Sequence, residues 1–249
     1  MKVAAIAAAA LWFAGGAAAQ TEPLRVLVSN GLKAVVVDLQ PKAEQEAGRP
    51  LAMEFGTTAS LKQKIESGER FDAALITADA VDTLAKEGKI AGDSRAELAR
   101  AGIGVGIRAG APKPDIATPD ALKRSLLAAK SITYARDGAS RVHLSKMFEQ
   151  MGIAPAVNPK VALESGSARS AARVASGQSD MLLTLVSEIL PAPGVELVGP
   201  LPAQLQSYIY FKGGVSPQAR HADSAKALIR FFTAPAAAPV FKAKGMETH

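Results

Sequence analysis

The residues most able to do chemistry sit where strands give way to helices. "FGTTASLKQKIESG" places Thr57, Thr58 and Ser60 at one helix start, where a single capping hydroxyl would suffice. "RDGASRVH" places Ser140 at a second start, with Arg141 and His143 in its first turn and Arg136 just upstream. "SGSARSAAR" places Ser165 and Ser167 at a third, followed by Arg169. A helix N-terminus offers unpaired N–H groups and about half a positive charge. Hydroxyls there extend the donor set, and the product is an anion site. Each hydroxyl also reads as an ordinary N-cap. Arginine in a first turn opposes the dipole. A bound anion would remove that conflict, and so would Asp137 beside Arg141 or Glu164 beside Arg169.

A turn after the first apolar run, "VSNG", adds Asn30 and Gly31. Gly31 reads either as a turn residue needing left-handed backbone or as a point where a ligand approaches the chain. Metal and nucleophile chemistry finds no support. The chain has no cysteine, no G-x-S-x-G elbow, no Walker loop and no H-E-x-x-H pair. No cofactor or metal is expected. Among the histidines His143, His221 and His249, only His143 lies at a candidate site.

The elements that must position these groups alternate strand and helix, the signature of an α/β sheet. Strand 24–29 precedes a helix over 32–46, with a bend expected at Pro41. "LAMEF" precedes a helix over 58–66, and strand 71–77 precedes a helix closed by Gly88. "AGIGVGIRAGAPKP" (101–114) breaks the pattern and reads as a crossover into a second lobe. Alternation then restarts with helix "PDALKRSLLAAK", strand "SITYA" and helix "GASRVHLSKMFEQMG". A strand at 160–163, a helix at 167–176 and strands at 179–186 and 194–199 follow. "SYIYFKGG" (207–214) returns the chain to the first lobe, and Ser216-Pro217 reads as the start of a closing helix. The expectation is an α/β protein with one lobe from 20–102 plus 207–249, another from 103–206, and a ligand cleft between them. Ligands of such sheets sit beyond the carboxyl ends of the strands.

Residues 1–19 read as a cleavable export signal: Lys2, an apolar run through Phe13, then Ala17-Ala18-Ala19 before Gln20. That predicts a periplasmic location in a bacterium. Net charge is +6, but Lys and Arg are scattered without interleaved aromatics, which argues against nucleic acid. The single tryptophan, Trp12, lies in the signal, so few flat platforms remain for sugars. A small anion is the better ligand.

"LRVLVSNGLKAVVVDL", "EFGTTASLKQKIESGERFDAALITAD" and "GIAPAVNPKVALESGSARSAARVASGQSDMLLTLVSE" resemble the periplasmic molybdate-binding proteins of ABC importers over nearly the whole mature chain. That resemblance implies the two-lobed type II periplasmic binding-protein fold, an oxyanion in the cleft, a membrane permease as partner and a monomer. It carries the family's second-turn hydroxyl onto Thr57 or Thr58, and its second-lobe contacts near Ser140 and Ser167. The family's first-turn serine falls on Gly31 and its cleft tyrosine on Leu185, so two polar contacts are lost. Arg136, Arg141, His143 and Arg169 lie near positions where the family uses neutral donors. Arginine forks suit carboxylates, so an organic polycarboxylate stands beside molybdate, tungstate and sulfate. A relative of that family is an aconitate isomerase, which implies an alternative: proton transfer on a tricarboxylate, with His143 as base and Tyr134 as a weaker candidate.

Overall fold

The computed structural model describes residues 22–248; the expected signal segment and its cleavage point lie outside them. β1 (Leu24–Ser29) leads through a short 3-10 turn at Asn30–Leu32 into α1 (Lys33–Ala47). Next come β2 (Leu51–Gly56), α2 (Thr58–Glu66), β3 (Ala73–Thr77) and α3 (Ala78–Lys86). The long β4 (Ala96–Arg108) follows, then α4 (Pro119–Ala128), β5 (Ile132–Ala135) and α5 (Arg141–Gln150). A short α6 (Ala154–Val157), β6 (Val161–Glu164), α7 (Ser167–Ala175) and β7 (Met181–Leu185) come next. The chain closes with α8 (Val186–Ile189), β8 (Val195–Pro200), β9 (Tyr208–Val215), α9 (Ala222–Thr233), α10 (Ala238–Ala243) and β10 (Met246–Glu247).

The strands lie in the order β2-β1-β3-β9-β4-β7-β5-β6, with β8 and β10 also on β4. β1 runs parallel to β2 and β3, and β5 parallel to β6 and β7, as strand–helix–strand units require. β9 and β4 are antiparallel to their neighbours. β4 serves two groups of strands. Its residues 96–102 pair with β9 and β10, and its residues 103–108 with β7 and β8. The first half-sheet (β2, β1, β3, β9) and the second (β7, β5, β6, β8) therefore meet only through β4 among the described residues. The result is the expected two-lobed α/β architecture.

Burial follows the patterning. β1, β3, β5 and β7 are buried on both faces, which is why they read as continuous apolar runs. α1 buries Val35, Val36, Leu39, Ala43 and Ala47. It continues through Pro41, which lies on its exposed side. Gly88 takes the left-handed conformation expected of it, φ 70°, and lets Lys89 N–H reach back to the Leu84 carbonyl at 2.8 Å.

Three expectations need correction. The closing helix starts not at Ser216-Pro217 but at Ala222. The buried carboxylate of Asp72 accepts Arg220 N–H at 2.8 Å and His221 N–H at 3.3 Å, and on its other oxygen Arg25 N–H at 2.9 Å. Those amides are committed to Asp72, so residues 216–221 form a turn against the base of β1. Gly31 is not left-handed; glycines with positive φ do not include it. A Cβ there would stand 2.5 Å from Phe211 Cζ and 3.0 Å from Leu185 Cδ1, so glycine is required by packing. The apolar run read as one strand over 179–186 ends at Leu185, and the chain turns directly into α8.

Candidate ligand-binding site

At the first half-sheet, the hydroxyls after β2 have separate duties. Thr57 is extended, φ −70° and ψ 150°, and its Oγ1 accepts Ser60 N–H at 3.2 Å as the N-cap of α2. Ser60 Oγ donates to the Thr57 carbonyl at 2.9 Å. Thr58 Oγ1 donates to Ser29 Oγ at 3.3 Å and accepts Thr77 N–H at 3.3 Å. It ties the carboxyl ends of β1 and β3 to the start of α2. Thr57 Oγ1 also donates across to Asp137 Oδ2 of the second half at 2.9 Å.

On the second half, Gly166 (φ 87°) turns the chain after β6 so that Ser167 opens α7. β7 ends at Leu185, and α8 carries Ser187 and Glu188 back toward β1. Ser187 Oγ donates to the Gly31 carbonyl at 2.8 Å, a buried bond between the halves.

Between these groups lies a cavity of about 20 Å³, walled by Ser29, Asn30, Gly31, Thr57, Thr58, Ser167, Leu185 and Glu188 together with Ala135, Gly138 and Ala139. Five sequence-selected residues thus converge: Asn30, Gly31, Thr57, Thr58 and Ser167. The cavity is of one-water size. It adjoins a groove of about 1040 Å³ between α1 and α7, and Asn30, Ser167 and Glu188 line both.

The remaining selected residues lie elsewhere. Ser140 is buried at the N-cap position of α5 but makes no capping bond with its side chain. Arg136 is exposed and donates to the Leu163 carbonyl at 3.4 Å. Arg141 is exposed and donates to the Arg136 carbonyl at 2.8 Å, while Asp137 accepts from Thr57. Arg169 is exposed, and Glu164 pairs with Arg173 instead, at 3.3 Å. His143 Nε2 is 2.9 Å from the Leu205 carbonyl, outside the cavity wall. Tyr134 is buried with its ring 6.5 Å from that of Phe148, and burial raises its hydroxyl above the ordinary tyrosine range.

Glu188 is the titratable group of the cavity wall that sequence reasoning did not select. Its Oε1 accepts from Ser167 Oγ at 2.8 Å, and its Oε2 from Thr184 Oγ1. Burial pushes its carboxyl above the ordinary glutamate value, against the opposing hydrogen bonds from Thr184, Ser167 and the Leu185 backbone. A signal existed: a glutamate three residues past the carboxyl end of a buried strand is where α/β sheets hold ligands. Ser29, which closes the same wall, lies at the carboxyl end of β1. Among the described residues no cluster of His, Asp and Glu could hold a metal. The wall as a whole can offer hydroxyl donors, the N–H groups of the α7 start and one carboxyl group.

Three likenesses bear on this geometry. A Pseudomonas aconitate isomerase is 30% identical over 237 residues, covering 93% of this chain and 90% of that protein. The periplasmic molybdate-binding protein of Azotobacter vinelandii superposes with a TM-score of 0.77 at 15% identity, covering 91% of this chain and 99% of that one. Campylobacter jejuni PEB3 bound to L-phospholactate superposes with a TM-score of 0.70 at 16% identity, covering 91% and 100%. The family of bacterial extracellular solute-binding proteins matches residues 24–247, and the chain belongs to that family.

Proposed function

We propose that this is an exported, periplasmic solute-binding protein that holds a small anion between its lobes and delivers it to the membrane permease of an ABC importer. The lobes are residues 20–102 with 207–249, and 103–206, hinged where β4 changes partners. The protein works as a monomer, without nucleic acid. The observation that carries the reading is the convergence of Asn30, Gly31, Thr57 and Thr58 from one half with Ser167, at the α7 N-terminus, from the other. Neutral donors and a helix start suit an anion. In the closed form the space is of water size, so the lobes must part to admit a ligand and close around it.

The ligand class is an oxyanion such as molybdate, tungstate or sulfate, or an organic polycarboxylate. Exposed Arg136, Arg141 and Arg169 give the carboxylate less support than their sequence positions did. The aconitate isomerase relative and the phospholactate-bound neighbour give it more. A thermal-shift panel of molybdate, tungstate, sulfate, citrate, aconitate and tricarballylate tests the reading. At least one should raise the melting point with concentration, and Ser167→Ala should reduce the rise. No shift with any anion would refute anion binding.

A second reading rests on the 30% identity to aconitate isomerase: the same scaffold moves a proton on a tricarboxylate. Chromatography of cis- and trans-aconitate after incubation with the protein decides it, and no interconversion above buffer leaves the carrier alone.

A further inference from the structure

An anion cleft with a carboxylate in its own wall has a charge problem to solve. Glu188 stands where the cavity and the groove meet. The side chains that bond to it, Ser167 and Thr184, are uncharged. Among the described residues, no charged group on the surrounding elements is bonded to it. On α1, Asp38 pairs with Lys244 at 2.8 Å, and Lys33 lies 5.2 Å from the Phe55 ring centroid. On α7, Arg173 pairs with Glu164 and Arg169 is exposed. Across the cavity, Asp137 accepts from Thr57. On β8, Glu196 pairs with Lys113. An incoming anion would thus meet a second negative charge with no cation bonded to it.

We propose that Glu188 takes up a proton as the anion binds, and that the neutral acid then donates a hydrogen bond to the ligand. This rests on the anion reading of the cleft. Two like charges in one enclosed site raise the proton affinity of the titratable one, and burial already acts in that direction on Glu188. The hydrogen bonds accommodate the change. With the proton on Oε1, the Ser167 hydroxyl is released to donate to the ligand, while Thr184 keeps its bond to Oε2. One proton therefore supplies two donors, O–H of Glu188 and O–H of Ser167, where the ionised form supplies none. The residue selects ligands that accept hydrogen bonds and makes their capture proton-linked.

Isothermal titration calorimetry with sulfate and with trans-aconitate tests this across roughly pH 6 to pH 8.5, a range that spans carboxyls raised by burial. Each titration is run in two buffers with different ionisation heats. Wild-type protein should take up about one proton per anion at the alkaline end, and affinity should fall there by about tenfold per pH unit. Glu188→Gln, a neutral donor of the same shape, should bind without proton uptake, and its affinity should be nearly flat in pH. Wild-type binding that is flat in pH with no proton uptake overturns the proposal, and needs no variant to do so. A Glu188→Gln slope equal to that of wild type overturns it as well. Absence of binding by sulfate, trans-aconitate and every other anion of the thermal-shift panel, in both proteins, would remove the anion reading and this proposal with it.

Discussion

Thr57, Thr58 and Ser60 share one helix start, yet their hydroxyls have different partners. Thr57 caps α2 and reaches Asp137, Thr58 joins β1 to β3, and Ser60 returns to the Thr57 carbonyl. Residue type marked the place, but only the partners give each hydroxyl its role. Glu188 makes the same point with charge. Its folded-state value is raised, so the folded protein holds the proton more tightly than the unfolded chain does. The associated stability is fully present below the unfolded value and is lost as pH rises through the folded value. Glu188→Gln cannot ionise and escapes that loss. Its melting point should therefore gain on wild type as pH rises from the unfolded glutamate value through the raised folded value, and level off above it. Thermal melts by circular dichroism over that range check it; a difference constant in pH would show that the carboxyl is not shifted. The place of Glu188 just past the end of β7 could be read from the sequence, but its shift could not, because desolvation depends on what the fold packs around a side chain.

Among the elements, most strands and helices were legible to within a residue or two, and the misplaced α9 start shows where local reading fails. Ser216-Pro217 carries the local signature of a helix start, but a more distant acceptor wins. Asp72, 5% exposed, collects amides from β1 and from the turn before α9. Asp72→Ala should leave those N–H groups without their acceptor and destabilise the protein by roughly 2–3 kcal/mol. Urea unfolding at neutral pH measures that loss. A loss below about 0.5 kcal/mol, the range of ordinary surface substitutions, would show that the turn finds other partners. The short α8 was missed for a related reason. Its first residue, Val186, extends the apolar run of β7, and four residues carry too little periodicity to announce a helix.

At the scale of the molecule, β4 links two half-sheets, and side-chain bonds across the cleft hold them together. Ser187 to the Gly31 carbonyl is buried; Thr57 to Asp137 is exposed to solvent and weaker in effect. If the lobes part and close as proposed, Ser187→Ala should remove about 1 kcal/mol from the closed form, a factor of about five in the closing equilibrium. The unliganded variant should show a larger radius of gyration in small-angle X-ray scattering, and its anion affinity should fall by about fivefold at most. An unchanged scattering profile would indicate that closure rests on other contacts.

The sequence by itself determined the alternation of strands and helices, the change of pattern near residue 102, and which helix starts carry hydroxyls. These features depend on side-chain periodicity, caps and turn residues, whose influence reaches only a turn or two along the chain. Tertiary structure decided which of those starts face one cavity. It admitted Thr57, Thr58 and Ser167, left Arg136, Arg141 and Arg169 exposed, engaged His143 with Leu205, and brought Glu188 to the wall. It also decided why residue 31 is glycine, through the Phe211 ring packed against it. Those outcomes depend on pairings such as Gly102 with Tyr208 and Ile103 with Leu185. Their partners lie far apart in the chain, so no local pattern encodes them; strand order does, once the core has closed around it.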